Sequence, residues 1–461
     1  MTMAPATKAR DVGLSEMDPK RAWAPYEPDE NRPWDLRMAG HLLRRATFGT
    51  GWPELQRAVA DGPRRTVERL LDPDANITGF NDRYETYEAA ASRGGSAEGL
   101  RSWWLRRMIE TPHPLREKMT LFWHGYFATS NDTVKNPALM HRHMKLLRSH
   151  ALGSFATLLE EVSHDPAMLT GIGGEMNRRS SPNPHYVRHL MEDFALGSGN
   201  YDERDVREAA RAYTGWLVQR GRLRYVEREH DDGLKPILGQ TGKWDSRDVV
   251  RIVLEQPSTA RFVVHRLFRW LISETEEPSE ALVAPLAESF RDGYDLKKLV
   301  GTMLRSNLFF SPAAYRQRVK GPVEFALGIV RGLEGMVPTA RLGADLASLG
   351  QNLYHPSTVK GWPGGRLWIN DWTTVQRGNL SWHLLAGSGP YGDKLNPLSI
   401  AGKHGRSGTQ SAEQFMLDLY LQGDVPRPVV EALRKTAGVD GEMDVRRFAW
   451  GVVTLPEFQL A

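Results

Sequence analysis

The 461-residue sequence contains no cysteine. Disulfide bonds, thiol nucleophiles and thiolate metal ligands are therefore excluded. Any bound metal ion would need histidine, aspartate, glutamate or backbone oxygen as its ligands. The absence of cysteine does not by itself fix the cellular compartment.

The sequence also lacks long apolar runs. Residues 1–33 contain no apolar core of the kind that marks a secretory signal peptide. No later stretch is long and uncharged enough to cross a bilayer, so we expect no transmembrane segment. The default expectation from these absences is a cytoplasmic protein.

Charge of one sign is not concentrated in runs. The 60 lysines and arginines are interleaved with the 56 aspartates and glutamates, which leaves a net charge of +4. A protein that binds nucleic acid usually presents a basic face or a basic run. We therefore expect no nucleic-acid partner.

Helical periodicity dominates the chain from residue 34 onward. Apolar residues recur every three or four positions in most segments, for example at Leu115, Met119, Phe122 and Tyr126. The pattern predicts a mainly α fold, a multi-helix globular bundle in which residues 34–461 form a single helical domain.

Three segments depart from this helical pattern. Residues 1–33 are rich in proline and charge, and we predict that they form an N-terminal tail or arm. Residues 72–98 are polar and rich in glycine and alanine, which predicts a mobile connection. A charged break near residues 275–280 leaves open a two-lobed arrangement of the domain.

The clearest β signal lies near residues 216–242. Trp216–Gln219 and Leu223–Glu227 are short β-prone segments, and the Arg-Gly-Arg between them is typical of a hairpin connection. Residues 236–239 offer one further short strand. We expect a small antiparallel β-hairpin insertion against the helical body.

The helix predicted over residues 184–196 carries candidate metal ligands. His185, His189 and Glu192 stand at positions i, i+4 and i+7, which places them on one helix face. Two histidines one turn apart, completed by a carboxylate, suit Zn, Mn or Fe. The pattern differs from the zinc-protease helix, because Tyr186 follows the first histidine where that motif has glutamate. The alternative is a polar helix face that is hydrogen-bonded or solvated.

A second candidate is the predicted turn that contains His230, Asp231 and Asp232. It concentrates an imidazole and two carboxylates, which suits a general base or a further ligand to a cation. Aspartate and glycine are also common turn residues, so these side chains are equally compatible with a purely structural turn.

Candidate ligand-binding residues flank the same region. Arg178 and Arg188 carry planar guanidinium groups that suit an anionic substrate, and the alternative is salt bridging to nearby carboxylates. Trp362 and Trp368 lie in an irregular, glycine-rich segment and suit stacking on a sugar ring or a base. Large aromatic residues also commonly pin a long loop to the core.

Several motifs resemble those of one bacterial family, catalogued as domain of unknown function 1800. The resemblance extends in family order from about residue 38 to the end of the chain. The motifs include HLLRRATFG (41–49), LFWHGYFATS (121–130), PNPHYVRHLMEDFALGSGNY (182–201), HDDGLKPILGQTG (230–242) and YHPSTVKGWPGGRLWIN (354–370).

The resemblance implies a mostly helical fold and brings no established reaction. The family is common in planctomycetes, its members often carry an export signal, and its genes often neighbour those of a sulfatase- or phosphatase-like family, which implies a partner of that class. Family members usually read Asn-Glu-Asn at the start of the central helix and Arg-Glu in its middle. This sequence has Asn183-Pro184-His185 and Arg188-His189 at those positions.

Two functions remain open at this point. The first is a metal-dependent, hydrolase-like enzyme with its pocket between the 184–196 helix, the His230 turn and the Trp362 loop. In it, His185, His189 and Glu192 hold the ion, and the turn supplies a base or further ligand. The second is a non-catalytic helical protein that binds or assembles with a surface polysaccharide or a partner protein. Under either function, we expect an anionic or carbohydrate ligand.

Overall fold

The described part of the chain in the computed structural model comprises residues 14, 17–72, 78–93, 95–438 and 441–461. Within it the fold is mainly α-helical with short antiparallel strands, which confirms the predicted fold class. The helices are, in chain order, α1 (Pro19–Trp23), α2 (Leu36–Ala46), α3 (Trp52–Leu71), α4 (Thr78–Arg93), α5 (Ala97–Glu110), α6 (Pro114–Tyr126), α7 (Asn131–Val134), α8 (Pro137–Ser149), α9 (Phe155–Ser163), α10 (Pro166–Gly171), α11 (His185–His189), α12 (Glu203–Ala212), α13 (Ser246–Glu255), α14 (Pro257–Leu271), α15 (Glu280–Arg291), α16 (Leu296–Arg305), α17 (Pro322–Gly332), α18 (Thr339–Ser348), α19 (Asp371–Leu385), α20 (Pro397–Lys403), α21 (Thr409–Leu421), α22 (Arg427–Ala437), α23 (Glu442–Thr454) and α24 (Pro456–Gln459).

Side-chain caps fix where many of these helices begin. Asp202 accepts backbone hydrogen bonds at the start of α12, and Asp205 bonds back to the backbone of Asp202. Asp245 and Asp248 form the same reciprocal capping box at the start of α13. Each box satisfies helix N–H groups that would otherwise have no partner.

The β structure is confined to two small hairpins in the described residues. Arg220 and Gly221 have φ values of 51° and 71°, which suits the tight two-residue turn of the first hairpin. The predicted insertion near residues 216–242 is thus confirmed. The antiparallel pairs are β1 (Trp216–Gln219) with β2 (Arg222–Tyr225), and β3 (Lys235–Ile237) with β4 (Gln240–Gly242).

The segment before α2 lies against the helical body. The indole N–H of Trp23 donates to the carbonyl of Leu282 (2.8 Å), and the backbone N–H of Tyr26 donates to the carbonyl of Arg305 (2.7 Å). These contacts attach residues 17–33 to α15 and α16. The rest of the predicted N-terminal tail, residues 1–13, 15 and 16, lies outside the described residues.

Much of the predicted connection at 72–98 is instead the helix α4, so the prediction for residues 78–93 was wrong. Tyr84 is buried, and its hydroxyl donates to the carbonyl of Arg106 (3.1 Å). The indole N–H of Trp103 donates to the carbonyl of Tyr84 (3.1 Å). Packing against α5 therefore stabilises a helix whose own sequence has a weak apolar stripe.

The chain folds back on itself around the charged segment at residues 275–280. Helices α14 and α15, which flank this segment, pack against each other. Buried apolar residues on both sides of it belong to one continuous cluster, which includes Leu267 before the segment and Leu282 after it.

Three charged side chains are buried together where α6 meets α17. Lys118, Arg318 and Glu324 are 0%, 3% and 4% exposed. Arg318 donates to both carboxylate oxygens of Glu324 (2.7 and 2.6 Å), and Lys118 pairs with the same carboxylate. Burial alone would raise the pKa of Glu324, but Arg318 and Lys118 hold it well below its usual range. Burial lowers the pKa of Lys118 to about 8.

Replacing Glu324 with glutamine should destabilise the protein by about 3–5 kcal/mol, because two buried cations then lose their counter-charge. The free energy of unfolding in urea measures the effect. Glu431→Gln is the control, since Glu431 and its partner Arg427 are 59% and 90% exposed. Equal stability of the two variants would contradict the assigned role of Glu324.

Candidate functional site

A cleft of about 620 Å³ opens between α6, the end of α14 and the irregular segment at residues 357–368. Its volume falls within the usual range for small-molecule sites. The side chains that give the cleft its chemistry are three tryptophans and four cations: Trp270, Trp362, Trp368, Arg266, Arg269, Arg318 and Lys360.

Glycine packing places the 357–368 segment on α6. Gly361 has a φ of 85°, and a Cβ at this residue would lie 2.2 Å from the carbonyl oxygen of Gly125. The backbone N–H of Gly361 donates to the carbonyl of Thr358 (3.0 Å), which closes a tight turn. Trp362 then packs edge-on against the buried ring of His124, with 5.1 Å between ring centroids. A side chain at Gly361 would prevent this approach.

The cations of the cleft differ in how they are held. The guanidinium of Arg318 lies 4.1 Å from the centroid of the Trp270 ring and is paired with Glu324. Arg266 lies 5.2 Å from the centroid of the Tyr126 ring and has no carboxylate partner among the described residues. Arg318 is therefore fixed, while the charge of Arg266 is available to a ligand.

Glu274 is the second carboxylate of the cleft, beside Glu324. One of its oxygens accepts the backbone N–H of Val319. The other lies 3.6 Å from the place a Cβ on Gly365 would occupy. Burial raises the pKa of Glu274, although Arg318 acts to lower it. The pKa values of the two carboxyl groups are thus shifted in opposite directions.

The central helix has an unexpected second half. Helix α11 ends at His189, and residues Leu190–Ala195 form a π-helix. Its wider turn changes the spacing on which the alignment of His185, His189 and Glu192 rested. In the structure Nδ1 of His189 lies 2.8 Å from Oδ2 of Asp193, while the side chain of His185 is exposed.

Glu192 faces the cleft loop. Its Oε2 accepts a hydrogen bond from the hydroxyl of Tyr201 (3.0 Å), and its Oε1 lies 3.5 Å from Nζ of Lys360. Lys360 also lies 3.5 Å from Oδ1 of Asp193. The central helix and the Trp362 loop therefore lie next to each other. Within the part of the chain that the structure describes, no three histidine or carboxylate side chains form a group that could hold a metal ion.

The His230 turn does not line the cleft. His230 is buried, and its Nδ1 lies 2.8 Å from the carbonyl oxygen of Thr214. Arg211 donates to both oxygens of Asp231 (2.8 and 3.1 Å), and this hydrogen bonding lowers the pKa of Asp231 to about 2. Asp232 is exposed. These hydrogen bonds attach the turn, which leads into β3, to α12 and to the residues that follow α12.

The two predicted anion-binding arginines are paired with glutamates. Arg188 donates to both carboxylate oxygens of Glu203 (2.5 and 2.9 Å). Arg178 donates to Glu229 (2.7 Å). Neither arginine lines the cleft, whereas the predicted ligand-binding residues Trp362 and Trp368 both do.

The sequence reasoning missed the half of the cleft that comes from α14 and its end. Arg266, Trp270 and Glu274 follow one another at intervals of four residues, which is about one helical turn. That spacing was visible in the sequence and signals one shared face.

The chain belongs to the family described as protein of unknown function (DUF1800), which it matches over residues 41–460. This confirms the family resemblance noted in its motifs. No curated protein and no solved structure matches the chain. In the described residues, no helix has both the length and the apolar character needed to cross a membrane.

If the metal predicted from the sequence binds beside Glu192, Lys360→Ala should increase the affinity for Zn²⁺. The substitution removes a positive charge 3.5 Å from the carboxylates of Glu192 and Asp193. Isothermal titration and elemental analysis of tag-free protein measure binding, with the exposed Lys243→Ala as control. Absence of Zn²⁺, Mn²⁺ or Fe²⁺ binding in both wild type and Lys360→Ala would reject the metal prediction.

Proposed function

We propose that the protein is a binding protein for an acidic saccharide, which enters the cleft beside the 357–368 segment. The observation that carries this proposal is the combination of three tryptophans with four cations in one cleft. Indole rings stack on the apolar faces of sugar rings. Guanidinium groups pair with carboxylate or sulfate through parallel hydrogen bonds.

The charge balance of the cleft favours an anionic ligand. Glu324 is neutralised by Arg318 and Lys118, so it presents little free negative charge. Burial raises the pKa of Glu274, so this carboxyl group loses its negative charge at a higher pH than an ordinary glutamate does. Arg266, without a carboxylate partner among the described residues, is the natural anchor for the anionic group of the sugar.

Lys360 and Arg269 give the cleft two more cations that a ligand can recruit. Both make ion pairs at the surface, with side-chain exposures of 66% and 50%. Exposed ion pairs contribute little to stability and are exchanged at small cost. An incoming sulfate or carboxylate therefore competes easily for these side chains.

A binding role has more support than the metal-dependent hydrolase predicted from the sequence. His189 is hydrogen-bonded to Asp193, and Glu192 accepts a hydrogen bond from Tyr201. The His230 turn is attached to α12 and does not line the cleft. A sulfatase-like partner, as the family resemblance implies, would act on the same class of ligand, since sulfated polysaccharides are acidic saccharides. That partnership is part of the proposal.

Arg266→Gln should weaken binding of a sulfated oligosaccharide roughly 10- to 100-fold, the usual effect of losing one charge-assisted hydrogen bond. Isothermal titration with a heparin tetrasaccharide measures the affinity, and cellotetraose serves as the neutral ligand. Arg261→Gln is the matched control, because Arg261 lies on the same helix and pairs with Glu280 at the surface.

Two results would overturn the proposal. One is a wild-type protein that binds neither acidic nor neutral oligosaccharides. The other is an acidic ligand that binds Arg266→Gln and wild type equally well. Trp362→Ala provides an independent check, since loss of its stacking should weaken binding while the circular dichroism spectrum stays helical.

Affinity for the sulfated ligand should rise as pH falls through the raised pKa of Glu274. Above this pKa the ionised carboxylate repels the sulfate, and below it the neutral carboxyl does not. The sulfate stays ionised throughout, so the ligand contributes no titration of its own. Glu274→Gln should bind more tightly at neutral pH and lose the pH dependence. Unchanged pH dependence in Glu274→Gln would show that another group is responsible.

A further inference from the structure

A second, much smaller cavity lies among α2, α17 and α21, on the far side of the buried Glu324 from the tryptophans of the cleft. About 30 Å³ of space is lined by Arg44, Lys320, Glu324 and Gln422, together with apolar and backbone groups. A single water molecule needs roughly 10–15 Å³ by this measure. The cavity therefore has room for two waters or for one small anion.

Arg44 is buried beside this cavity with part of its guanidinium unsatisfied. Its side chain is 8% exposed, and its Nη1 donates to Oε1 of Gln422. Its Nε and Nη2 have no hydrogen-bond partner among the described residues. A buried cationic group without acceptors is costly, so a missing acceptor at this position is expected on physical grounds.

Lys320 is the second cation of the cavity and is 4% exposed. Its Nζ lies 3.7 Å from the centroid of the Phe458 ring and donates no hydrogen bond to any described residue. Burial lowers the pKa of Lys320 well below its usual value, and the charge of Arg44 lowers it further. The two cations are thus close enough to repel each other.

The neighbouring carboxylates are already paired with other cations. Glu324 is committed to Arg318 and Lys118. Asp424 accepts a hydrogen bond from the hydroxyl of Tyr315 and pairs with Arg316. Within the described part of the chain, Nε and Nη2 of Arg316 are buried and also lack a hydrogen-bond partner. Positive charge therefore exceeds negative charge around the cavity.

We propose that this cavity binds a small inorganic anion of about the size of chloride, held between Arg44 and Lys320. The anion supplies the acceptor that Arg44 lacks and keeps Lys320 protonated. Bound there, it links α2, which carries Arg44, to Lys320, which lies just before α17. The cavity shares Glu324 with the saccharide cleft, but none of the cleft's tryptophans or exposed cations lines it.

The test is thermal unfolding at constant ionic strength, with sodium gluconate replaced stepwise by sodium chloride. Gluconate is too large for the cavity. Chloride should raise the Tm of the wild type saturably by roughly 1–3 °C. Lys320→Met should lose this rise, whereas Lys243→Met, which removes an exposed lysine, should keep it. Crystals grown in bromide should show an anomalous peak between Arg44 and Lys320.

The bromide experiment decides the matter on the wild-type protein even if Lys320→Met fails to fold. A Tm that rises with phosphate but not with chloride also contradicts the proposal, because phosphate is too large for a cavity of about 30 Å³. The proposal is overturned if the Tm is equal in gluconate, chloride and phosphate. Water in the cavity, with no anomalous peak in bromide, overturns it as well.

Discussion

The buried carboxylate of Glu324 is the constraint on which both candidate sites depend. It lines the large cleft and the small cavity, and it balances Arg318 on one side and Lys118 on the other. A carboxylate buried among cations stays ionised only while its partners remain in place. The ion pair between Lys118 and Glu324 joins α6 to α17. The positions of the cleft walls and the charge of the cavity are therefore consequences of one electrostatic network.

This network also separates the roles of the cations around it. Arg318 and Lys118 are used up in holding Glu324, so their charge is not available at the surface. Among the described residues, neither Arg266 nor Lys320 forms an ion pair with a carboxylate. An anionic ligand gains the most binding free energy from cations that lack a carboxylate partner, because no existing ion pair has to be broken.

Local sequence signals predicted the parts of the protein that local physics determines. The capping box of Asp202 and Asp205 and the hairpin at Trp216–Gln219 follow from short-range rules, and both are present. Helix α4 was missed because its helicity depends on packing against α5. Of the cleft, only Trp362 and Trp368 were predicted. The π-helix and the approach of Arg318 to Trp270 arise from tertiary contacts that no spacing rule encodes.

The contact of Gly361 with Gly125 has a consequence for selectivity. Two glycine backbones meet there, so the 357–368 segment lies closer to α6 than a side chain at Gly361 would allow. An alanine at Gly361 would act as a spacer and push the segment outward, carrying Trp362 away from His124. The width of the cleft therefore depends on the absence of a side chain at Gly361. If the cleft binds a saccharide as proposed, an alanine at Gly361 would widen the cleft and change which sugars it admits.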